Sequence, residues 1–119
     1  MRPHYKLDVW NKGIDFVVEI YKLVNKFPKL EDYVLSAQIR RAAISIPSNI
    51  AEGAGRQTKR EFIQFLHIAQ GSASEIETRL EIAYRIGYIT EIEKVELNKK
   101  LDDIGKMITG LRRVLRKDE

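Results

Sequence analysis

Apolar residues recur at spacings of three and four along almost the whole chain, and stretches alternating with a period of two are nearly absent. The pattern predicts an all-α protein of four helices. The first is expected from Asp8, a candidate N-cap, to Phe27, where Pro28 stops it. Its apolar residues form two stripes: Trp10, Ile14, Val17, Tyr21 and Val24, then Phe16, Ile20, Leu23 and Phe27. One stripe would serve a bundle core, and two imply a helix covered on more than one side. The second helix is expected to start between Leu30 and Ser36 and to end at Glu52, with Leu35, Ile39, Ala42, Ile46 and Ile50 on one face and "EGAGR" as the turn that follows. Thr58 and Glu61 then form a T-x-x-E entry signal for the third helix, which carries Phe62, Leu66, Ala69, Ala73, Ile76, Leu80 and Ala83 and ends at Gly87. At 1.5 Å per residue this helix is about 40 Å long, so its partners must be long as well. Thr90 and Glu93 repeat the entry signal before Leu97, Leu101, Ile104, Ile108, Leu111 and Leu115. Short connections make neighbours antiparallel, and an antiparallel up-down-up-down four-helix bundle is the expected fold.

Pro47 interrupts this pattern. Inside a helix it removes a backbone donor, crowds the carbonyl of Ala43 and costs about 3 kcal/mol, so a kink is expected there. Ser45 and Ser48 stand near enough to hydrogen-bond the freed backbone groups, and Asn49 adds a polar side chain. Two consequences are open: the bend lets the helix follow the core, or it presents Asn49, Glu52 and the turn with Gly53 and Gly55 at one end of the bundle.

Composition narrows the class. The 119 residues suit one domain over positions 1–119, and no apolar run approaches the roughly 20 residues of a membrane span. The opening "MRPHYKLDVW" lacks the apolar region of a secretory signal. Cysteine is absent, which excludes disulfides, thiolate zinc sites and thiol nucleophiles and suits a cytoplasmic protein. A net charge of +4 permits a polyanionic partner.

Catalytic and metal chemistry finds little support. His4, in an end expected to be mobile, and His67 are the only histidines, and neither has metal-ligand spacing. Glu75, Glu77 and Glu81 lie close together, but Glu77 and Glu81 are placed to pair with Arg79 and Arg85. Ser45, Ser48, Ser72 and Ser74 have no evident base, and "EGAGR" lacks the lysine and the preceding strand of a phosphate loop. No enzyme, cofactor or metal site is expected.

Basic charge is the positive signal. Arg40 and Arg41 lie near the start of the second helix, Arg56, Lys59 and Arg60 surround the next turn, and Arg112, Arg113, Arg116 and Lys117 close the chain. Arg56, Lys59 and Arg60 sit where cations oppose the macrodipole of the third helix, a placement that suits a partner bringing negative charge. In an up-down bundle the end of the second helix, the start of the third and the end of the fourth meet, so two of these clusters form one basic rim. With no aromatic residues interleaved, binding is expected to follow the nucleic-acid backbone with weak sequence selectivity. A solvated surface is the plain alternative.

The stretches "VWNKGIDFVVEIYKL", "SAQIRRAAISIPSNIAEGAGR" and "TKREFIQFLHIAQGSASEIETRLEIAYRIGYI" resemble the four-helix-bundle family of proteins encoded in intervening sequences of bacterial 23S ribosomal RNA genes, with which the accessory variability proteins of diversity-generating retroelements are grouped. The resemblance covers nearly the whole chain, and its densest segment contains Pro47, Ser48, Asn49, Glu52, Gly53 and Gly55. It implies a homopentameric barrel. By way of the retroelement relatives it also implies association with RNA or DNA and with a reverse transcriptase, whereas the intervening-sequence proteins themselves have no established biochemical activity. The leading expectation is therefore a non-enzymatic, oligomeric, RNA-associated accessory protein acting through basic patches at one end of the bundle. The alternative is a protein-interaction scaffold, docking through the kinked segment, that does not touch nucleic acid.

Overall fold

Four long helices, preceded and linked by single-turn 3₁₀ segments, make up the computed structural model, which describes residues 2–117. Met1, Asp118 and Glu119, the ends of the span expected for one domain, lie outside the described residues. The segment Pro3–Lys6 leads into α1 (Asp8–Val24), and a second 3₁₀ turn, Lys29–Glu31, precedes α2 (Leu35–Ala54). Next come α3 (Lys59–Ile86) and α4 (Glu91–Lys117). No strand occurs among the described residues. The helices form a compact body of 46 × 22 × 20 Å, in which each packs on the next and α1 closes on α4.

The ends of the helices follow from local chemistry. Leu7 rather than Asp8 is the N-cap of α1, and Asp8 occupies the first turn, where a carboxylate complements the helix dipole. This helix ends at Val24, short of Phe27, because Lys26 and Phe27 close tighter turns onto the carbonyls of Leu23 and Val24. Phe27 remains in the core, its ring 5.2 Å from that of Tyr88. At the start of α3 the Thr58 hydroxyl oxygen accepts from the Glu61 N–H at 3.1 Å, and the same hydroxyl donates to the Glu61 carboxylate at 2.9 Å. Gly87, at φ 98°, ends that helix in the left-handed conformation, with its own N–H and that of Tyr88 returning to the Ala83 carbonyl. Thr90 and Glu93 form the full reciprocal box, each side chain accepting from the other's backbone N–H, at 2.9 and 3.1 Å.

The core takes one face of each helix. Phe16, Ile20 and Leu23 meet Ile39, Ile46 and Ile50, Leu66, Ile76 and Leu80, and Leu97, Leu101, Ile104 and Ile108. Of the stripe expected from Trp10 to Val24 on α1 only Val24 is fully buried; Trp10 and Val17 are half-buried, and Ile14 and Tyr21 are exposed.

At Pro47 the structure differs from the expectation of a presented bend. The helix α2 runs without a break from Leu35 to Ala54, two residues past the expected end, and Pro47 is buried against α1. Gly13 of α1 faces the proline ring, and a Cβ there would lie 3.4 Å from the Pro47 Cβ. The side chain that reaches the backbone here is Asn49, whose amide donates to the Ser45 carbonyl and to the Ser45 hydroxyl, both at 2.8 Å. Ser72 of α3 donates to that hydroxyl at 2.8 Å, while Ser48 is exposed.

Gly53 also has a different task from the one expected. It lies inside α2, and a Cβ there would come within 2.8 Å of both Phe62 and Phe65. It is a point of close approach between α2 and α3.

Candidate nucleic-acid interface

Cross-helix contacts place the basic residues. Residue numbers rise along α3 as they fall along α4: Gln70 donates to the Thr109 hydroxyl at 2.7 Å and accepts from Arg112, while Lys94 lies 3.1 Å from Glu81. At α4's other edge, Lys100 pairs with Glu19 and Glu93 with Lys26, so α1 and α4 are related in the same way. The last turn of α4 therefore lies beside the early part of α3, and stops about one and a half turns short of Lys59.

At this end Arg56 lies 2.7 Å from Glu52, and its guanidinium sits 4.9 Å above the Phe65 ring. The arginine is thus held in one orientation rather than left to swing in solvent. Glu52, from the "IAEGAGR" stretch, is the carboxylate partner of that arginine, and Gly55 caps α2 with an ordinary negative φ of −87°. Lys59 and Arg60 begin α3 and are exposed. Arg113, Arg116 and Lys117 are exposed on the last turns of α4 and form no ion pair among the described residues. Arg112 is different: it is half-buried, bound to Gln70, and its Nε has no hydrogen-bond partner. It joins α3 to α4.

Arg40 and Arg41 belong elsewhere. Arg40 donates to the Asp32 carbonyl at 3.0 Å and sits 5.9 Å over Tyr21, near the start of α2 and the end of α1. Arg41 is exposed on the next position. Together they form a second, smaller patch remote from the rim.

Two further cations were missed from the sequence. Arg2 lies at the edge of a depression it shares with Glu52 and Arg56, and Lys6 closes the adjoining 3₁₀ segment. Their signal was topological, since the start of α1 comes to the same end as the finish of α2.

The acidic cluster on α3 is paired in part as expected. Arg85 binds Glu81 at 2.7 Å, whereas Arg79 binds Glu75 at 2.9 Å rather than Glu77. Hydrogen bonds from Arg85 and then Lys94 hold the Glu81 carboxyl below its ordinary value. His67 is exposed, and among the described residues no group of three or more His, Asp and Glu side chains gathers as a metal site would require. No helix there is long and apolar enough to cross a membrane.

The fold and this arrangement of charges define a small all-helical bundle protein. The chain belongs to the 23S rRNA-intervening sequence protein family, whose pattern matches residues 5–110. Among solved structures it resembles a protein with unknown function from the S23 ribosomal protein family of Bacteroides thetaiotaomicron, at 31% identity and a TM-score of 0.82. That match covers 95% of this chain and 99% of the other. No curated protein matches the sequence.

Proposed function

We propose that the protein is a non-enzymatic accessory protein that binds RNA through the rim formed by Arg56, Lys59, Arg60, Arg113, Arg116 and Lys117. The observation that carries this reading is that exposed cations from two helices remote in sequence stand at the same end of one bundle. A family defined by an intervening sequence of ribosomal RNA adds to the case for RNA. Each phosphate that the rim neutralises releases counterions, so affinity depends steeply on salt.

The antiparallel up-down-up-down order is supported by the paired contacts of α1 with α4 and of α3 with α4. We further propose a homopentamer in the cytoplasm, which multiplies the rim and raises its avidity. Its support is the exposed apolar face formed by Ile14, Val18 and Tyr21 of α1 beside Ile44 of α2.

The test is binding of purified protein to a fluorescent structured RNA across a salt series, beside a variant with Arg60, Arg113, Arg116 and Lys117 changed to glutamine. Micromolar or tighter binding is expected, with the log–log salt slope falling by about 0.7–0.9 for each phosphate contact removed. An Arg40→Gln and Arg41→Gln pair is expected to weaken binding less. No binding at low salt refutes the reading.

A protein-interaction scaffold remains the second reading, on a surface other than the kinked segment. Leu30 at 74% exposure, Tyr33 at 94%, Val34, Ile86 and Ile92 leave apolar side chains uncovered at the end opposite the rim. The Tyr88 hydroxyl, donating to Glu31 at 2.8 Å, ties the two loops there. Association with a protein that is insensitive to salt would favour this reading.

A further inference from the structure

The 3₁₀ segment Pro3–Lys6 is fastened to the bundle rather than trailing from it. It packs on α1 and α2, and the Asn11 amide donates to the carbonyls of Tyr5, at 3.3 Å, and Leu7, at 3.2 Å. Three aromatic rings gather as a result. The His4 ring lies 4.7 Å from Tyr5 and 4.9 Å from Trp10, both edge-on, and Tyr5 and Trp10 are 5.1 Å apart. Trp10 packs against the core, whereas Tyr5 is 49% exposed, so the cluster has a fixed inner side and an open outer one.

Beside these rings is a depression of about 530 Å³, bounded by Arg2, Pro3, His4, Ser48, Glu52 and Arg56. Its chemistry is mixed in an informative way. Glu52 repels a phosphate placed in the depression itself, but a carboxylate accepts readily from the N–H edge of a nucleobase. Of the three rings only His4 borders the depression; the half-exposed Tyr5 ring, 4.7 Å from it, offers apolar surface for the base's face, and Arg2 and Arg56 offer positive charge for the phosphates to either side. An exposed aromatic ring beside cations is an arrangement that holds unpaired strands, since every base has a π-face.

We infer that the His4–Tyr5–Trp10 cluster and the depression beside it receive an unpaired base of a nucleic-acid strand, with Tyr5 as the stacking surface and Glu52 facing the base edge. This rests on the reading of the rim as a nucleic-acid site. It adds a preference for single strands and loops over continuous duplex, which basic charge alone does not supply.

The test compares binding of a short single-stranded RNA, the same sequence as DNA, and an RNA duplex of equal length, using the full chain, Tyr5→Ala and Tyr5→Phe. Tyr5 is half exposed, so both variants should keep the wild-type circular dichroism and urea midpoint, which are checked first. The wild type should prefer whichever single strand it accepts over duplex by about 5-fold to 160-fold, the range that stacking of one base gives. Tyr5→Ala should lose that preference while keeping salt-dependent duplex binding, and Tyr5→Phe should retain it. Trp10, the only tryptophan in the chain, should be quenched by the single strand in the wild type. Equal affinity for strand and duplex, unchanged in Tyr5→Ala, overturns the stacking inference and leaves the rim standing. Absence of salt-dependent binding to any of the three overturns both.

Discussion

Gly53 and Gly55 are two residues apart and read alike in the sequence, yet their surroundings give them opposite sensitivities. A methyl group on Gly53 would press to 2.8 Å from two phenylalanine side chains of α3, one of the contacts being the Phe65 Cβ, which cannot swing away. Gly53→Ala should therefore destabilise the fold by about 1–3 kcal/mol, seen as a lower urea midpoint with an unchanged slope. At Gly55 the φ is −87° and an added Cβ would meet only ordinary contacts at 3.7 Å. Gly55→Ala should be neutral or stabilising by up to about 1 kcal/mol, through loss of freedom in the unfolded chain. The motif's glycines looked like one turn because sequence carries no record of which neighbour a helix face will meet.

The helix entries were legible for the opposite reason. Thr58 with Glu61, and Thr90 with Glu93, act within four residues, so their signal is complete in the local sequence. Thr90→Ala should cost about 1 kcal/mol in urea unfolding. The same box sets a pH dependence. The Thr90 backbone N–H, helped by Lys26, holds the Glu93 carboxyl below its ordinary value of 4.5. The folded state thus binds that proton more weakly than the unfolded chain does. Its contribution is present above the ordinary value and is lost as the pH falls through the lowered folded one. Glu93→Gln should flatten the acid limb of stability against pH relative to wild type. At the alkaline side the sign reverses. A hydrogen bond to Glu31 raises the Tyr88 hydroxyl above 10.0, so the stability it adds is present below that value and is lost as the pH rises through the raised one. Tyr88→Phe should remove that alkaline loss.

For the whole molecule, the exposed apolar side chains of Ile14, Val18, Tyr21 and Ile44 offer a surface for a second copy. If it joins copies, light scattering should give five times the 13.8 kDa chain mass, and Val18→Glu with Ile44→Glu should yield a smaller, still helical species. The stripe read from Trp10 to Val24 on α1 pointed towards such a face. Val24 proved to be core, however, and Val18, absent from that stripe, is exposed. The angular position of a side chain near the edge of a stripe depends on where neighbouring helices cross, which periodicity alone leaves open.

The sequence by itself determined the number of helices, most of their ends and nearly all of the core, because spacing and capping act over one or two turns. Membership of the family was legible there as well, through the stretch that holds Pro47, Asn49 and Gly53. The up-down order read in the sequence already put two of the basic clusters at one end. Only the tertiary structure turned Arg112 inward to Gln70 and brought Arg2 and His4, with the Tyr5 and Trp10 rings against His4, to the side of Arg56. These are relations between residues up to more than forty positions apart in the chain, as for Gln70 and Arg112. The packing of one helix on another creates them, and no local pattern encodes them.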